Sequence, residues 1–199
     1  MRRVACAAGV ICALFACSLA AQQPTGKELV LSATSLGPLN LSPNGKVSVG
    51  ILEKAFPGAR VSYDIREGDS PAFHCFIVTS AQGEKLFVIR SFIPDAMSPR
   101  PDGTNRQIEV PIHLLQVVSR QIRDSYGVRV GDRISDVIRI RGERLQYGAA
   151  HHDVYLGGDK IFYGMEIGVD RGPEGFTLAD AKRENTRINS ISWPDWAWE

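Results

Sequence analysis

The run Gly127-Val128-Arg129-Val130-Gly131-Asp132-Arg133-Ile134-Ser135-Asp136-Val137-Ile138 constrains the fold more than any other stretch, because it reads as an extended entry, a turn and a capped helix in immediate succession. Val128 and Val130 alternate with charged neighbours, as a half-buried extended segment requires. Gly131 lets the backbone turn sharply. Asp132 is then the expected N-cap, its carboxylate placed to accept from the unpaired amides of the first turn and to sit at the positive end of the helix dipole. Ile134, Val137 and Ile138 fall at i, i+3 and i+4, one apolar stripe on a short helix that Arg141-Gly142 should end. A helix this short gains too little from its own hydrogen bonds to stand alone, so it must lie on a sheet supplied by its flanks.

The flanks supply such sheets twice. Ahead of the run, Leu29, Val30 and Leu31 predict a first extended segment closed by Gly37-Pro38. Ser48, Ile51, Leu52, Ala55 and Phe56 have helical spacing before the stop Pro57-Gly58. Strands are expected around Val61, Tyr63 and Ile65, around Phe73, Cys75 and Ile77, and over Leu86 to Ile89. A Pro-rich loop from Pro94 to Gly103 follows, and then a fourth strand over Leu114 to Ile122, centred on Val117 and Val118. After the run, Leu145 to Tyr147, Asp153 to Leu156 and Ile161 to Ile167 are strand candidates, the last two joined at Gly157-Gly158-Asp159. Asp170 to Glu184 holds a turn and one helical turn, and Arg187 to Trp193 closes the unit. The expected fold is α+β: antiparallel sheet with short helices packed on one face, and a possible tandem duplication of a helix-plus-strands unit over 27–122 and 123–199 within one compact domain.

Ahead of both units, Met1-Arg2-Arg3 precedes an apolar run from Val4 to Ala16 that is too short to span a bilayer comfortably, so residues 1–20 are expected to be an export signal. Two cleavage readings stand. Ser18-Leu19-Ala20 offers small residues at the −3 and −1 positions of an ordinary signal peptidase, releasing a soluble protein near Ala21. Leu14-Phe15-Ala16-Cys17 instead resembles a bacterial lipobox, with a bulkier residue than usual at Phe15 and with Cys17 as the acylated new N-terminus. Ser18 after the cysteine then favours passage to the outer membrane. With Cys6, Cys12 and Cys17 in the leader, Cys75 is left without a partner inside the folded part, so the core rather than a disulfide must hold the fold. Its neighbours Phe73-His74-Cys75-Phe76-Ile77-Val78 make it a small buried hydrophobe.

Charge excludes little except nucleic acid. The formal net charge is +1, and without Arg2 and Arg3 it becomes 21 basic against 22 acidic residues, with no basic stripe or tail of the kind that tracks phosphates. His151-His152-Asp153 invites a metal, but neighbours on a strand point to opposite faces and no His or Cys pair at ligand spacing completes a site. His74 and His113 have no local partner set. Asp132 and Asp136 are explained by a helix start, and neither a Gly-x-Ser-x-Gly elbow nor a phosphate-binding Gly-x-x-x-x-Gly-Lys occurs. The residues thus nominate no catalytic group, metal or cofactor. The three tryptophans crowd into Trp193 to Trp198. Trp193 belongs with the last strand and the core. Trp196 and Trp198 either tuck back onto the sheet, the favoured reading, or dock a partner or the membrane interface, since indole joins a large apolar face to a polar N–H.

Four segments in order carry a family resemblance: Leu31-Ser32-Ala33-Thr34, Gly127-Val128-Arg129-Val130-Gly131 leading to Ser135-Asp136-Val137, Arg171-Gly172-Pro173-Glu174-Gly175, and Ile188 to Trp193. Over roughly Leu29 to Trp193 the chain resembles the RpoE-regulated lipoprotein family of bacteria, largely a domain of unknown function associated with envelope stress. The resemblance implies an exported envelope protein, commonly anchored by a lipidated cysteine, here Cys17, and brings no catalytic residues with it. The expected function is therefore a non-enzymatic binding or structural module at the periplasmic side of the outer membrane, acting on an unidentified envelope protein or ligand. The alternative is a soluble periplasmic inhibitor or chaperone-like binder.

Overall fold

Alternating apolar and polar side chains dominate the chain, and sheet dominates the molecule. The computed structural model describes residues 28–42, 44–67, 72–94, 106–142, 145–150, 153–166 and 176–194. In chain order the elements are β1 (Val30–Leu31), β2 (Ser35–Leu36), β3 (Leu39–Asn40), β4 (Lys46–Val47), α1 (Val49–Ala55), β5 (Arg60–Arg66), β6 (Phe73–Thr79), β7 (Lys85–Phe92), β8 (Val110–Pro111), β9 (Leu114–Val117) and β10 (Arg123–Asp124). They continue with α2 (Ile134–Arg141), β11 (Gln146–Ala150), β12 (Asp153–Gly158), β13 (Ile161–Met165), α3 (Leu178–Glu184) and β14 (Ile188–Trp193). Among the described residues three short helices accompany strands that are antiparallel almost throughout.

An eight-stranded sheet in the order β11-β12-β13-β14-β9-β7-β6-β5 is the centre of the architecture. Its middle is the antiparallel pair β9–β14, where Val117 faces Ile191 and Leu115 faces Trp193. Reading outward from that seam, each flank presents its last strand, then a three-strand meander in reverse chain order. Because side chains alternate between faces along a strand, the register places Phe76, Ile89, Leu115 and Trp193 in one row and Val78, Phe87, Val117, Ile191 and Tyr163 in another on the same face. These residues are buried and belong to one continuous core. The Trp193 indole also donates Nε1–H to the carbonyl of Ala33 at 2.8 Å, which ties the sheet to the small four-stranded sheet β10-β1-β2-β3. Within that smaller sheet β1 and β10 run parallel, a departure from the all-antiparallel expectation.

The helices form where the sequence pattern asks, with different caps. Ser48 Oγ accepts from the Ile51 amide and starts α1; Val49 and Leu52 are buried, and Phe56 at its C-terminal end meets the Phe87 ring edge-on at 5.0 Å. In α2 the apolar stripe is as expected, Ile134 and Val137 buried and Ile138 half-buried, and Gly142 ends it at φ +79°. Asp132 is not the N-cap. Arg133 occupies that position without a side-chain cap bond, because the Asp132 carboxylate is drawn backward to the Arg129 amide at 2.8 Å and to Arg120 at 3.4 Å.

Three further expectations are corrected. The fourth strand ends at Val117, since beyond it Ser119 Oγ turns to Glu84 and to the Gln121 amide instead of extending the ladder. The β12–β13 connection uses Asp159 and Lys160 as its turn residues, both at positive φ (55° and 63°), while Gly157 and Gly158 lie within β12. The single helical turn expected before Glu184 is the longer α3. It opens with a reciprocal cap in which Thr177 Oγ1 accepts from the Asp180 amide and Asp180 accepts from the Thr177 amide.

Candidate functional site

A largely buried polar constellation is formed by Asp124, Tyr126, Arg141, Asp159 and Tyr163, gathered by β10, α2, the β12–β13 turn and β13. It starts from a local turn: Asp124 Oδ1 accepts from the amides of Tyr126 (2.9 Å) and Val128 (2.8 Å), closing an Asx-type turn that Gly127 completes at φ +98°. Asp124 is fully buried, and its second oxygen accepts a hydrogen bond from the hydroxyl of the equally buried Tyr163 at 2.5 Å. The same hydroxyl accepts from Arg141 Nη1 at 2.7 Å. Arg141 Nη2 donates to the Gly158 carbonyl at 3.0 Å and reaches Asp159 at 3.4 Å, with only 3% of its side chain exposed. The ring of Tyr126 covers the guanidinium at 3.7 Å, and its own hydroxyl donates to Asp159 at 3.1 Å.

Burial and the facing Asp124 carboxylate push the Tyr163 phenol far above its ordinary range, so it holds its proton and acts as a donor. Buried opposite charges bridged by a hydroxyl are stable only when the remaining lone pairs and protons are also used. Here most of them are: the carboxylate has three donors, the phenol donates once and accepts once, and the guanidinium is held on three oxygens and between two rings. The arrangement can orient and lock; it holds no nucleophile poised beside a base.

The two described histidines are likewise engaged. His74 Nδ1 shares a hydrogen bond with the Tyr63 hydroxyl at 2.9 Å, and His113 Nδ1 accepts from the Phe92 amide at 2.8 Å while stacking on the Phe92 ring. Burial lowers the pKa of both, favouring the neutral imidazole. Cys75 is buried and unpaired, and burial pushes its thiol up, away from the reactive thiolate. Asp136 pairs with Arg139 on the solvent side of α2 at 3.2 Å. Among the described residues no three His, Cys, Asp or Glu side chains stand close enough to share a metal ion, and no helix is long and apolar enough to cross a membrane.

Two recesses among the described residues are lined mainly by apolar surface. One of about 440 Å³ is lined by Glu28, Leu29, Val30, Ser32, Ser35, Gly37 and Pro38. Its one carboxylate, Glu28, is held by Arg129 and Arg123, which keep it below its usual range. Another, of about 270 Å³, lies where α2 meets α3 at Ile134, Ser135, Ile138 and Lys182.

Of the residues nominated from sequence, Cys17, Trp196, Trp198, His151 and His152 lie outside the described residues, whereas Trp193 is in the core. The Asp124 cluster was not nominated. Its one readable signal was Asp124-Ser125-Tyr126-Gly127, a turn motif; Arg141 read as a helix stop and Tyr163 as a strand residue, and nothing local announces that a chain separation of 39 residues closes onto Asp124.

No family model matches the chain, and no curated protein does. Among solved structures it is similar to the uncharacterized protein yfeY from Escherichia coli, with a TM-score of 0.56 and 20% identity over 83% of this chain and 99% of that one. At that identity the likeness shows the fold alone.

Proposed function

We propose that this chain is an exported envelope lipoprotein, anchored through Cys17 and serving as a non-enzymatic binding or structural module on the periplasmic side of the outer membrane. The observation that supports the non-enzymatic part is the buried Asp124–Tyr163–Arg141 network, whose hydrogen bonds hold β10, α2 and β13 together. The anchor rests on Leu14-Phe15-Ala16-Cys17-Ser18, and the resemblance to the RpoE-regulated lipoprotein family supports it.

In this reading the molecule is a duplicated helix-plus-meander unit with its helices on one face of the large sheet. Two contacts support it: Phe56 of the α1 end touches Phe87, and Arg141 of α2 touches Tyr163, while Phe87 and Tyr163 lie in one cross-strand row. Trp196 and Trp198 remain the proposed docking side chains of the tail.

Membrane fractionation of cells expressing the wild type and Cys17→Ser tests the anchor. The wild type should sediment with the outer membrane and the variant should not be processed to an acylated form. A wild type recovered wholly in the soluble periplasm would favour the second reading, an inhibitor or chaperone-like binder released near Ala21.

A further inference from the structure

The face of the large sheet that turns away from Phe87 and Tyr163 has its own pattern at the β5–β6–β7 end. Register places Arg66, Phe73 and Phe92 in one row, Asp64, Cys75, Arg90 and Leu114 in the next, then Ser62, Ile77, Val88 and Gln116, then Arg60, Thr79 and Lys85. Four cations, Arg60, Arg66, Lys85 and Arg90, thus share this face with one carboxylate, Asp64, in a chain whose formal charge is only +1. Arg60, Arg66, Lys85 and Asp64 are exposed, and Phe73, Ile77, Val88, Arg90 and Phe92 between them are half-buried. None of the four cations forms an ion pair with another described residue; the Arg90 guanidinium instead lies over the Phe73 ring at 5.2 Å.

We propose that this face docks on an anionic lipid surface. Three cations at the margins of an apolar centre, with Arg90 lying across that centre, match a bilayer, where headgroup phosphates form a sheet of negative charge over hydrocarbon: the aliphatic stems of arginine and lysine lie along apolar surface while their heads reach the phosphates. Each such cation near an anionic surface contributes about a fivefold gain in partitioning, so four against one acid are enough to hold the face to the membrane. The attraction weakens as salt shortens the screening length. This surface goes beyond the anchor reading and does not depend on it. An acyl chain inserts into neutral and anionic bilayers alike, whereas the sheet face discriminates between them.

The test is co-sedimentation of the protein in its processed form, with identical N-termini in all variants, on phosphatidylcholine vesicles and on vesicles containing phosphatidylglycerol. Partitioning should be more than about tenfold higher on the anionic vesicles. Arg60→Glu with Arg66→Glu should remove that preference, and Asp64→Lys, a change of two charges, should strengthen it by about 25-fold, with circular dichroism showing each variant folded. Equal partitioning on the two vesicle types overturns the proposal, as does a preference that neither the paired reversal nor Asp64→Lys moves. Heparin or an acidic peptide binding more tightly than vesicles, through the same arginines, would assign the face to a soluble polyanion and overturn it equally. Binding to neutral vesicles alone would report the acyl anchor and leave this face without a role.

Discussion

Asp124 carries the largest share of residue-level specificity. Replacing it with Ala leaves the buried Tyr163 hydroxyl and the Tyr126 and Val128 amides without their acceptor, a loss of about 3 kcal/mol. Tyr163→Phe keeps the ring and removes one bridging hydroxyl, for about 1–2 kcal/mol. Chemical denaturation should rank them in that order; equal, near-zero effects would show that the network contributes nothing. The histidines give a pH signature. An unfolded imidazole titrates near 6.5, and burial holds His74 and His113 below that, so between the two values the unfolded chain binds more protons. Stability from these groups is therefore complete above about pH 6.5 and falls as pH drops below it. His74→Asn with His113→Asn, which keeps an acceptor near each Nδ1, should flatten the decline in melting temperature over that range. The capping carboxylate Asp180, lowered to about 2 chiefly by its bond to Thr177, releases its contribution only as pH falls from the ordinary carboxylate value toward that figure.

At the scale of elements, the helices and meanders were legible because their signals are local. Ser48, the Ile134–Val137–Ile138 stripe and the alternation along β5 and β6 each act within a few residues. Caps were less legible. Asp132 has the right chemistry for an N-cap but a nearer donor in the Arg129 amide, and a competition between two backbone amides is settled by the turn geometry. Thr177 is a readable cap, seven positions after Asp170 in a stretch dominated by the turn residues Gly172, Pro173 and Gly175. Thr177→Ala should cost about 1 kcal/mol of stability, read from thermal melts. Gly157 makes a sharper demand: a Cβ there would stand 2.0 Å from the Phe162 ring, itself 2% exposed. Gly157→Val should destabilise by about 2–3 kcal/mol, through the overpacking of β12 against β13. A variant as stable as the wild type would mean that the ring swings aside freely.

The whole molecule depends on β9 and β14, which join the two flanks into one sheet and one core. Ile191→Ala removes a buried side chain opposite Val117 and should cost about 2–5 kcal/mol, lowering the melting temperature by about 2–4 °C per kcal/mol in a single transition. Two separate transitions would show flanks that fold alone. The pairing of β9 with β14 was not legible, since strands 74 residues apart carry no mutual signal in one sequence; nor was the Asp124–Arg141–Tyr163 convergence that the pairing permits. The expected leader lies outside the described residues and rests on sequence alone, and the proposed anchor at Cys17 is the central claim about function. Intact-mass measurement of the protein recovered from membranes tests it most directly. An N-terminal Cys17 carrying diacylglycerol and acyl mass is the expected result, and a chain beginning at Ala21 with no added lipid would contradict it.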